Sequence, residues 1–130
     1  MTYCLFLLFF SSSCKKDAFS GIRGRWMNVA VYTELQNGEF GWYPVERFHE
    51  VYHFDSDSRF GAYTDVPGGS GTYKYDRWKG KLELNYEANQ YGGTTHTIVL
   101  KVEKLAGNNM ILAYSSSSGF VYKTEYTRID

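Results

Sequence analysis

Residues 72–86 read TYKYDRWKGKLELNY, two runs of alternating apolar and polar residues on either side of a short polar turn. Alternation with a period of two produces one apolar face on an extended strand, whereas a helix would repeat its apolar positions every 3.6 residues. We therefore predict a β-hairpin in which Thr72–Tyr75 and Lys81–Tyr86 flank the turn Asp76–Gly80.

Short alternating runs continue in both directions from this hairpin, and turn residues separate them. Every connection is short enough to join antiparallel neighbours. The sequence therefore predicts an all-β fold, an eight-stranded antiparallel up-and-down barrel, in which full closure removes exposed sheet edges. The region near residues 42–48 is interpreted as a loop or one short helical turn, and Pro67–Gly71 as an open loop. The predicted strands are Arg25–Thr33, Phe48–Phe54, Arg59–Thr64, Thr72–Tyr75, Lys81–Tyr86, Thr94–Leu105, Met110–Tyr114 and Phe120–Ile129.

The period-two pattern assigns an inner and an outer face to these strands. Aromatics make up 18 % of the residues, with 12 Tyr among them, so the predicted interior is largely aromatic. The inner face comprises Trp26, Tyr52, Phe54, Phe60, Tyr73, Tyr75, Leu82, Leu84, Ile98, Leu100, Leu112, Tyr114, Tyr122 and Tyr126. The outer face carries Lys74, Glu83, Thr97, Lys101, Lys123 and Glu125.

The N-terminus has the pattern of a processing signal. The apolar run at residues 3–10 is too short to span a bilayer but has the length of a signal-peptide hydrophobic region. Ser11–Ser13 and then Cys14 follow it. This segment resembles a bacterial lipobox, although no Lys or Arg precedes the apolar run. The resemblance implies a signal peptide at 1–13, a lipid on Cys14 that holds the chain at the membrane, a tether over 14–23 and a folded domain over 24–130.

Charged residues directly follow the predicted lipidation site. The run Lys15-Lys16-Asp17 resembles the surface-export signal of some Gram-negative lipoproteins. The resemblance implies a lipid anchor in the outer membrane of the cell envelope and exposure at the cell surface. A solvated tether is the equally weighted alternative.

Composition excludes several classes of function. Basic and acidic residues balance at 14 each, and no basic run is longer than two, so we predict no nucleic-acid partner. Once Cys4 has left with the leader and Cys14 is acylated, the domain contains no free thiol. A disulfide framework and a thiolate metal site are then excluded, and no cofactor is predicted.

Two residues far apart in the chain carry a second resemblance. Gly24-Arg25-Trp26 opens the first predicted strand, and Arg128 lies near the end of the last. Residues 24–129 resemble the lipocalin-like (calycin-type) domain of small Gram-negative lipoproteins, with further matches at Tyr52–Asp55, Arg59-Phe60, Gly71–Tyr73 and Tyr126–Ile129. The resemblance implies that Gly24, Trp26 and Arg128 close one end of the barrel, with the guanidinium over the indole face.

A metalloprotease-like motif needs a separate interpretation. His49-Glu50-Val51-Tyr52-His53 matches His-Glu-x-x-His, in which a helix brings both histidines to one zinc ion and Glu acts as base. The Val, Tyr and Phe content of the segment favours a strand, which would separate the two histidines by about 13 Å. We therefore predict no metal site and no catalytic residue here, and a zinc hydrolase is the distant alternative.

Aromatic side chains are the candidate ligand-binding residues. Four lie in predicted loops, Trp42, Tyr43, Trp78 and Tyr91, and five on the predicted inner face, Tyr52, Tyr73, Tyr75, Tyr114 and Tyr122. We expect a non-catalytic module that holds a small apolar or aromatic-compatible ligand or an envelope partner. The alternative is a barrel filled by its own side chains that contacts only other proteins, because eight strands enclose space for either.

Overall fold

The computed structural model describes residues 21–63, 67–88 and 94–129, and this part of the chain is all-β. The predicted fold class is therefore confirmed. The strands are β1 (Gly24–Glu34), β2 (Phe40–Pro44), β3 (Val51–Phe54), β4 (Arg59–Tyr63), β5 (Pro67–Asp76), β6 (Lys81–Tyr86), β7 (His96–Ala106), β8 (Asn109–Ser115) and β9 (Val121–Arg128).

Eight of these strands form a closed antiparallel barrel. Hydrogen-bonded neighbours follow the order β1-β3-β4-β5-β6-β7-β8-β9, and β9 pairs again with β1. Trp26 lies directly opposite Arg128 in this closing pair, and Tyr32 lies opposite Lys123. The register shifts once between Asn28 and Ala30, which marks a β-bulge in β1.

The ninth strand, β2, covers residues 42–44 of the region near 42–48 that was predicted as a loop or one short helical turn. That prediction is wrong for 42–44, whereas residues 45–48 form a loop. β1 is 11 residues long, and β3 covers only Gly24–Met27 of it. The half beyond the bulge is free to pair with β2, from Ala30 opposite Pro44 to Glu34 opposite Phe40. Trp42 and Tyr43 therefore lie on a strand and not in a loop.

The segment Pro67–Gly71 is also strand where an open loop was predicted. It pairs with β4, from Tyr63 opposite Pro67 to Phe60 opposite Gly71. Its glycines allow a close approach to β6: a Cβ atom on Gly71 would lie 1.8 Å from the Asn85 carbonyl oxygen, and one on Gly69 would lie 2.3 Å from the Tyr86 ring. Glycine often indicates a loop, but Gly69 and Gly71 are needed here because any side chain would clash with β6.

The core occupies one half of the barrel. Trp26, Phe54, Leu82, Leu84 and Met110 are almost fully buried, as the inner-face pattern predicts for all but Met110. Of the other predicted inner-face residues, Tyr75 and Ile98 are partly buried, and Tyr114 and Tyr122 are exposed over 43 % and 53 % of their surfaces. They face each other across β8 and β9 on the inner side, but they lie beyond the filled half. We call their end of the barrel the open end.

The opposite end, which we call the closed end, is plugged by Trp26. Its indole Nε1–H donates to the Ile22 carbonyl oxygen at 2.8 Å. The Arg128 guanidinium carbon lies 4.2 Å from the centre of the indole ring, and its Nη2 donates to the Gly21 carbonyl oxygen at 2.8 Å. Arg128 also donates to the Arg23 carbonyl oxygen. The Trp26–Arg128 contact that the sequence predicts is therefore present.

Part of the predicted tether belongs to this closed end. Ile22 is buried in the core, and the backbone on both sides of it accepts hydrogen bonds from Arg128. We call residues 21–23 the strap. Gly24 has φ 122°, a left-handed conformation that favours glycine, and it turns the chain from the strap into β1. The folded unit therefore includes residues 21–23.

The Trp26–Arg128 contact predicts coupled stability effects. Trp26→Ala should lower the free energy of unfolding by about 3–5 kcal/mol through lost burial. Arg128→Ala should lower it by about 1–2 kcal/mol through lost cation–π and hydrogen-bond contacts. Because the side chains touch, the double variant should lose less than the sum of the two single losses. Urea titrations of the four proteins measure these values, and strictly additive losses would contradict the contact.

Candidate functional site

Three tyrosines and one carboxylate meet inside the barrel, between the filled core and the open end. Tyr52 on β3, Tyr86 on β6 and Tyr126 on β9 point inward, and the Tyr52 and Tyr126 ring centres are 5.6 Å apart. The Tyr52 and Tyr86 hydroxyl oxygens are 3.5 Å apart. The Tyr126 hydroxyl donates to Glu50 Oε1 at 3.2 Å. We call these four residues the Glu50–tyrosine cluster.

The bulge in β1 places Glu50 in this cluster. The Asn28 backbone N–H donates to the Glu50 carbonyl oxygen at 3.0 Å, and Asn28 Oδ1 accepts the Glu50 N–H at 2.7 Å. The neighbouring His49 Nδ1–H donates to the Asn28 carbonyl oxygen at 2.9 Å. Phe48 has φ 57°, a left-handed conformation that redirects the chain ahead of this clamp. Asn28 therefore holds the segment that carries Glu50 against β1.

Burial keeps the cluster hydroxyls protonated. It is the largest cause that raises the pKa of Tyr52, Tyr86 and Tyr126 above the usual value. The charge of Glu50 also raises the pKa of each of them, because a phenolate would face a carboxylate. The three tyrosine hydroxyls are therefore neutral and can donate or accept hydrogen bonds. The Glu50 carboxylate is the charged hydrogen-bond acceptor of the cluster.

Further aromatic side chains lie toward the open end of the barrel. Tyr86 stacks on His96 with ring centres 4.6 Å apart and planes 4° from parallel. Tyr43, Tyr114 and Tyr122 are exposed. Tyr43 lies opposite Val31, which also lies opposite Thr124, so Tyr43 is on the same inner side as Tyr122. The open end thus combines a polar floor with an aromatic rim.

The predicted ligand-binding residues do not form one site. Tyr52 is in the floor, and Tyr43, Tyr114 and Tyr122 are at the rim. Trp42 is on the outer side of β2, where its ring lies 5.6 Å from that of Tyr32. Tyr73, Tyr75 and Trp78 are at the closed end, and Tyr91 lies outside the described residues.

Sequence reasoning missed Glu50, Tyr86 and His96 as site residues. Glu50 was considered only as part of the zinc motif, yet it lies two residues before Tyr52 and so continues the inner face toward the open end. Tyr86 likewise continues the buried series Leu82 and Leu84. Extension of the period-two pattern past the apolar core would have identified both residues.

The His49–His53 segment is not helical. His53 is on the outer side of β3, whereas Glu50 points inward to Tyr126. The strand begins at Val51 and not at Phe48 as predicted, so His49 precedes it and is partly buried against Asn28. This backbone does not direct the two histidines and the glutamate to one point, as zinc hydrolysis requires. Over residues 21–63, 67–88 and 94–129, no cluster of three or more metal-binding side chains is found.

Comparison with known proteins adds no homologue. No family model matches the chain, and no curated protein matches it. Across the described ranges, no helix has the length and apolar character needed to cross a membrane. The side chains of the barrel are therefore the basis for the function proposed below.

The Glu50–tyrosine cluster predicts a loss of stability in alkali. Above a pH of about 10 the unfolded chain releases phenolic protons that the folded protein retains. The contribution of the three tyrosines of the cluster to the free energy of unfolding is therefore fully present below that pH and declines as the pH rises. Urea titrations at pH 8 and pH 11 should show this decline. Tyr126→Phe should reduce the decline by up to about 1.4 kcal/mol per pH unit.

Tyr63→Phe is the control for this measurement because Tyr63 is exposed on β4. It should show the same decline as the wild type. An equal decline in the Tyr126→Phe and Tyr63→Phe proteins would mean that the buried hydroxyl of Tyr126 is not the group responsible.

Proposed function

We propose that the protein is a non-catalytic, lipid-anchored envelope lipoprotein whose lipocalin-like barrel binds a small ligand at its open end. The ligand has an apolar or aromatic body and a hydrogen-bond donor. The observation that carries the proposal is that the Glu50–tyrosine cluster and the exposed Tyr43, Tyr114 and Tyr122 share the inner side of the barrel toward its open end.

The chemistry of the open end selects the class of ligand. Exposed rings at the rim offer stacking surfaces to a flat or apolar body. Glu50 Oε1 accepts a hydrogen bond from the Tyr126 hydroxyl, and the second carboxylate oxygen can accept one from a ligand donor. The same negative charge disfavours anionic ligands. A neutral or cationic compound with an N–H or O–H group is therefore the best match.

The closed end supports the lipocalin-like assignment. In the calycin pattern a Trp on the first strand and an Arg on the last lie in contact, and Trp26 and Arg128 have this relation. The same end contains residues 21–23, which lead toward Cys14. A lipid on Cys14 would therefore keep the closed end within reach of the membrane.

A filled barrel that contacts only proteins is the second candidate. Aromatic rings in contact fill the core. The ring centres of Phe54 and Tyr73 are 5.0 Å apart, and those of Phe60 and Tyr86 are 4.9 Å apart. This filling leaves only the open end for recognition. The rim tyrosines would then contact a partner surface, and no small compound would enter.

Binding of N-phenyl-1-naphthylamine tests the proposed ligand class, because this neutral probe has two aromatic groups and one N–H donor. We expect saturable binding with enhanced probe fluorescence. The double variant Tyr114→Ala/Tyr122→Ala should bind about tenfold more weakly, which corresponds to about 1.4 kcal/mol. Both side chains are exposed, so folding should be preserved.

Trp78→Ala is the matched control because it removes an exposed aromatic side chain at the closed end. It should leave the affinity for the probe unchanged. Absence of saturable binding by the wild type would reject the small-ligand proposal in favour of the interaction module. Equal weakening in all variants would place the probe elsewhere on the protein.

Cys14→Ser tests the anchor. The wild-type chain, expressed in a Gram-negative host, should incorporate labelled fatty acid and partition into detergent. The variant should lack the label, because Ser cannot form the thioether on which lipoprotein processing depends. Equal labelling of the two proteins would contradict a lipid on Cys14.

A further inference from the structure

The turn between β5 and β6 exposes a tryptophan at the closed end. Trp78 is 89 % exposed, and the Arg77 guanidinium carbon lies 5.4 Å from its ring centre. Such exposure leaves a large aromatic surface in water, and contact with an apolar phase would remove that surface from water favourably. Trp next to basic residues is a combination favoured at the membrane–water interface, where the ring contacts lipid and the cations contact headgroups.

The hairpin segment that carries this tryptophan has a net positive charge, although Glu83 lies opposite Lys74. From Lys74 to Lys81 the chain has four basic residues and one acidic residue, Asp76. Asp76 Oδ1 accepts the backbone N–H groups of Trp78 and Lys79 at 3.0 and 3.1 Å. The carboxylate is thus turned back onto the hairpin turn, whereas Arg77 and Lys79 are exposed.

A groove of about 440 Å³ lies beside this turn. Its lining includes Gly21, Ser58, Tyr75, Lys74 and Arg77. The nearby Asp55 is held in its own turn, where Oδ1 accepts the backbone N–H groups of Asp57 and Arg59 at 2.9 and 3.0 Å. The groove therefore presents basic side chains together with a tyrosine ring, a combination that suits a phosphate with an attached organic group.

The N-terminal part of the chain reaches the folded domain at this groove. Gly21 lines it, and the Gly21 carbonyl oxygen is held by Arg128. Six residues lie between Cys14 and Gly21, so the chain between these two positions can span at most about 25 Å. A lipid on Cys14 would therefore keep Gly21, and with it the groove beside the β5–β6 turn, within about 25 Å of the membrane.

We propose that the closed end docks on the membrane surface, with Trp78 in the lipid interface and Lys74, Arg77 and Lys79 against anionic phospholipid headgroups. This proposal rests on the membrane attachment proposed above. It adds that the barrel has one defined orientation, in which the membrane contacts the closed end and the Glu50–tyrosine cluster opens toward the aqueous phase.

Quenching of tryptophan fluorescence by brominated lipid tests this orientation. The full-length processed protein is incorporated into phosphatidylcholine vesicles with phosphatidylglycerol, in which acyl chains are brominated near the headgroups. Wild-type fluorescence should be quenched, and Trp78→Phe should remove most of that quenching. Trp42→Phe is the matched control, because Trp42 is exposed on β2, away from the closed end; this variant should retain the quenching.

Charge and anchor are tested in the same system. Arg77→Gln/Lys79→Gln should reduce the quenching in vesicles with phosphatidylglycerol, and high salt should have the same effect. Vesicle flotation reports whether the chain is anchored, independently of the quenching. If lipid attachment at Cys14 is disproved, the protein is added to preformed vesicles, and Trp78 is still expected to account for the quenching.

Two results would overturn the docking proposal. The first is vesicle-bound protein without quenching by brominated lipid, which would mean that Trp78 faces water or another protein. The second is equal quenching in the Trp78→Phe and Trp42→Phe variants, which would mean that the closed end has no defined orientation at the membrane. Loss of flotation with retained quenching of added protein would reject the anchor alone.

Discussion

The Trp26–Arg128 contact lies at the end of the β1–β9 pairing. This pairing closes the barrel, and the rest of the structure depends on it. Without it the eight barrel strands would form an open sheet with two exposed edges. Closure directs one face of every barrel strand inward, where the aromatic side chains pack against each other. Arg128 also binds the strap at residues 21–23, so the same contact covers the bottom of the core.

The two ends of the barrel then differ in chemistry. At the closed end, apolar side chains fill the interior, and only the outer turns are available for interaction, with Trp78 and basic residues exposed. At the open end, the bulge at Asn28 and the left-handed Phe48 interrupt regular pairing and bring Glu50 inward. Bulges often redirect a side chain in this way. The polar floor and the aromatic rim thus lie at one end of the barrel, and the exposed Trp78 with its basic neighbours lies at the other.

Sequence patterns predicted the elements that depend on local alternation. The hairpin around Asp76–Gly80, the inward Trp26 and the outward Lys101 all follow from period two. The errors have physical causes. Pro44 suggested a loop but ends an edge strand, and Gly69 and Gly71 suggested a loop but allow close contact with β6. The bulge shifts the register within β1, so no uniform alternation could assign its second half.

The sequence by itself determined the strand-forming segments, the inner face and the pair of residues that meet at the closed end, because these depend on the alternation of neighbouring side chains and on one known motif. Only the tertiary structure decided that one half of the inner face is packed into the core and that the other half is exposed at the open end. The burial of a tyrosine depends on how far its strand extends beyond the packed rings, and Tyr122 and Tyr126 differ in this way on one strand. Glu50 joins tyrosines from three strands through a clamp on Asn28, 22 residues away in the chain, which no local pattern specifies.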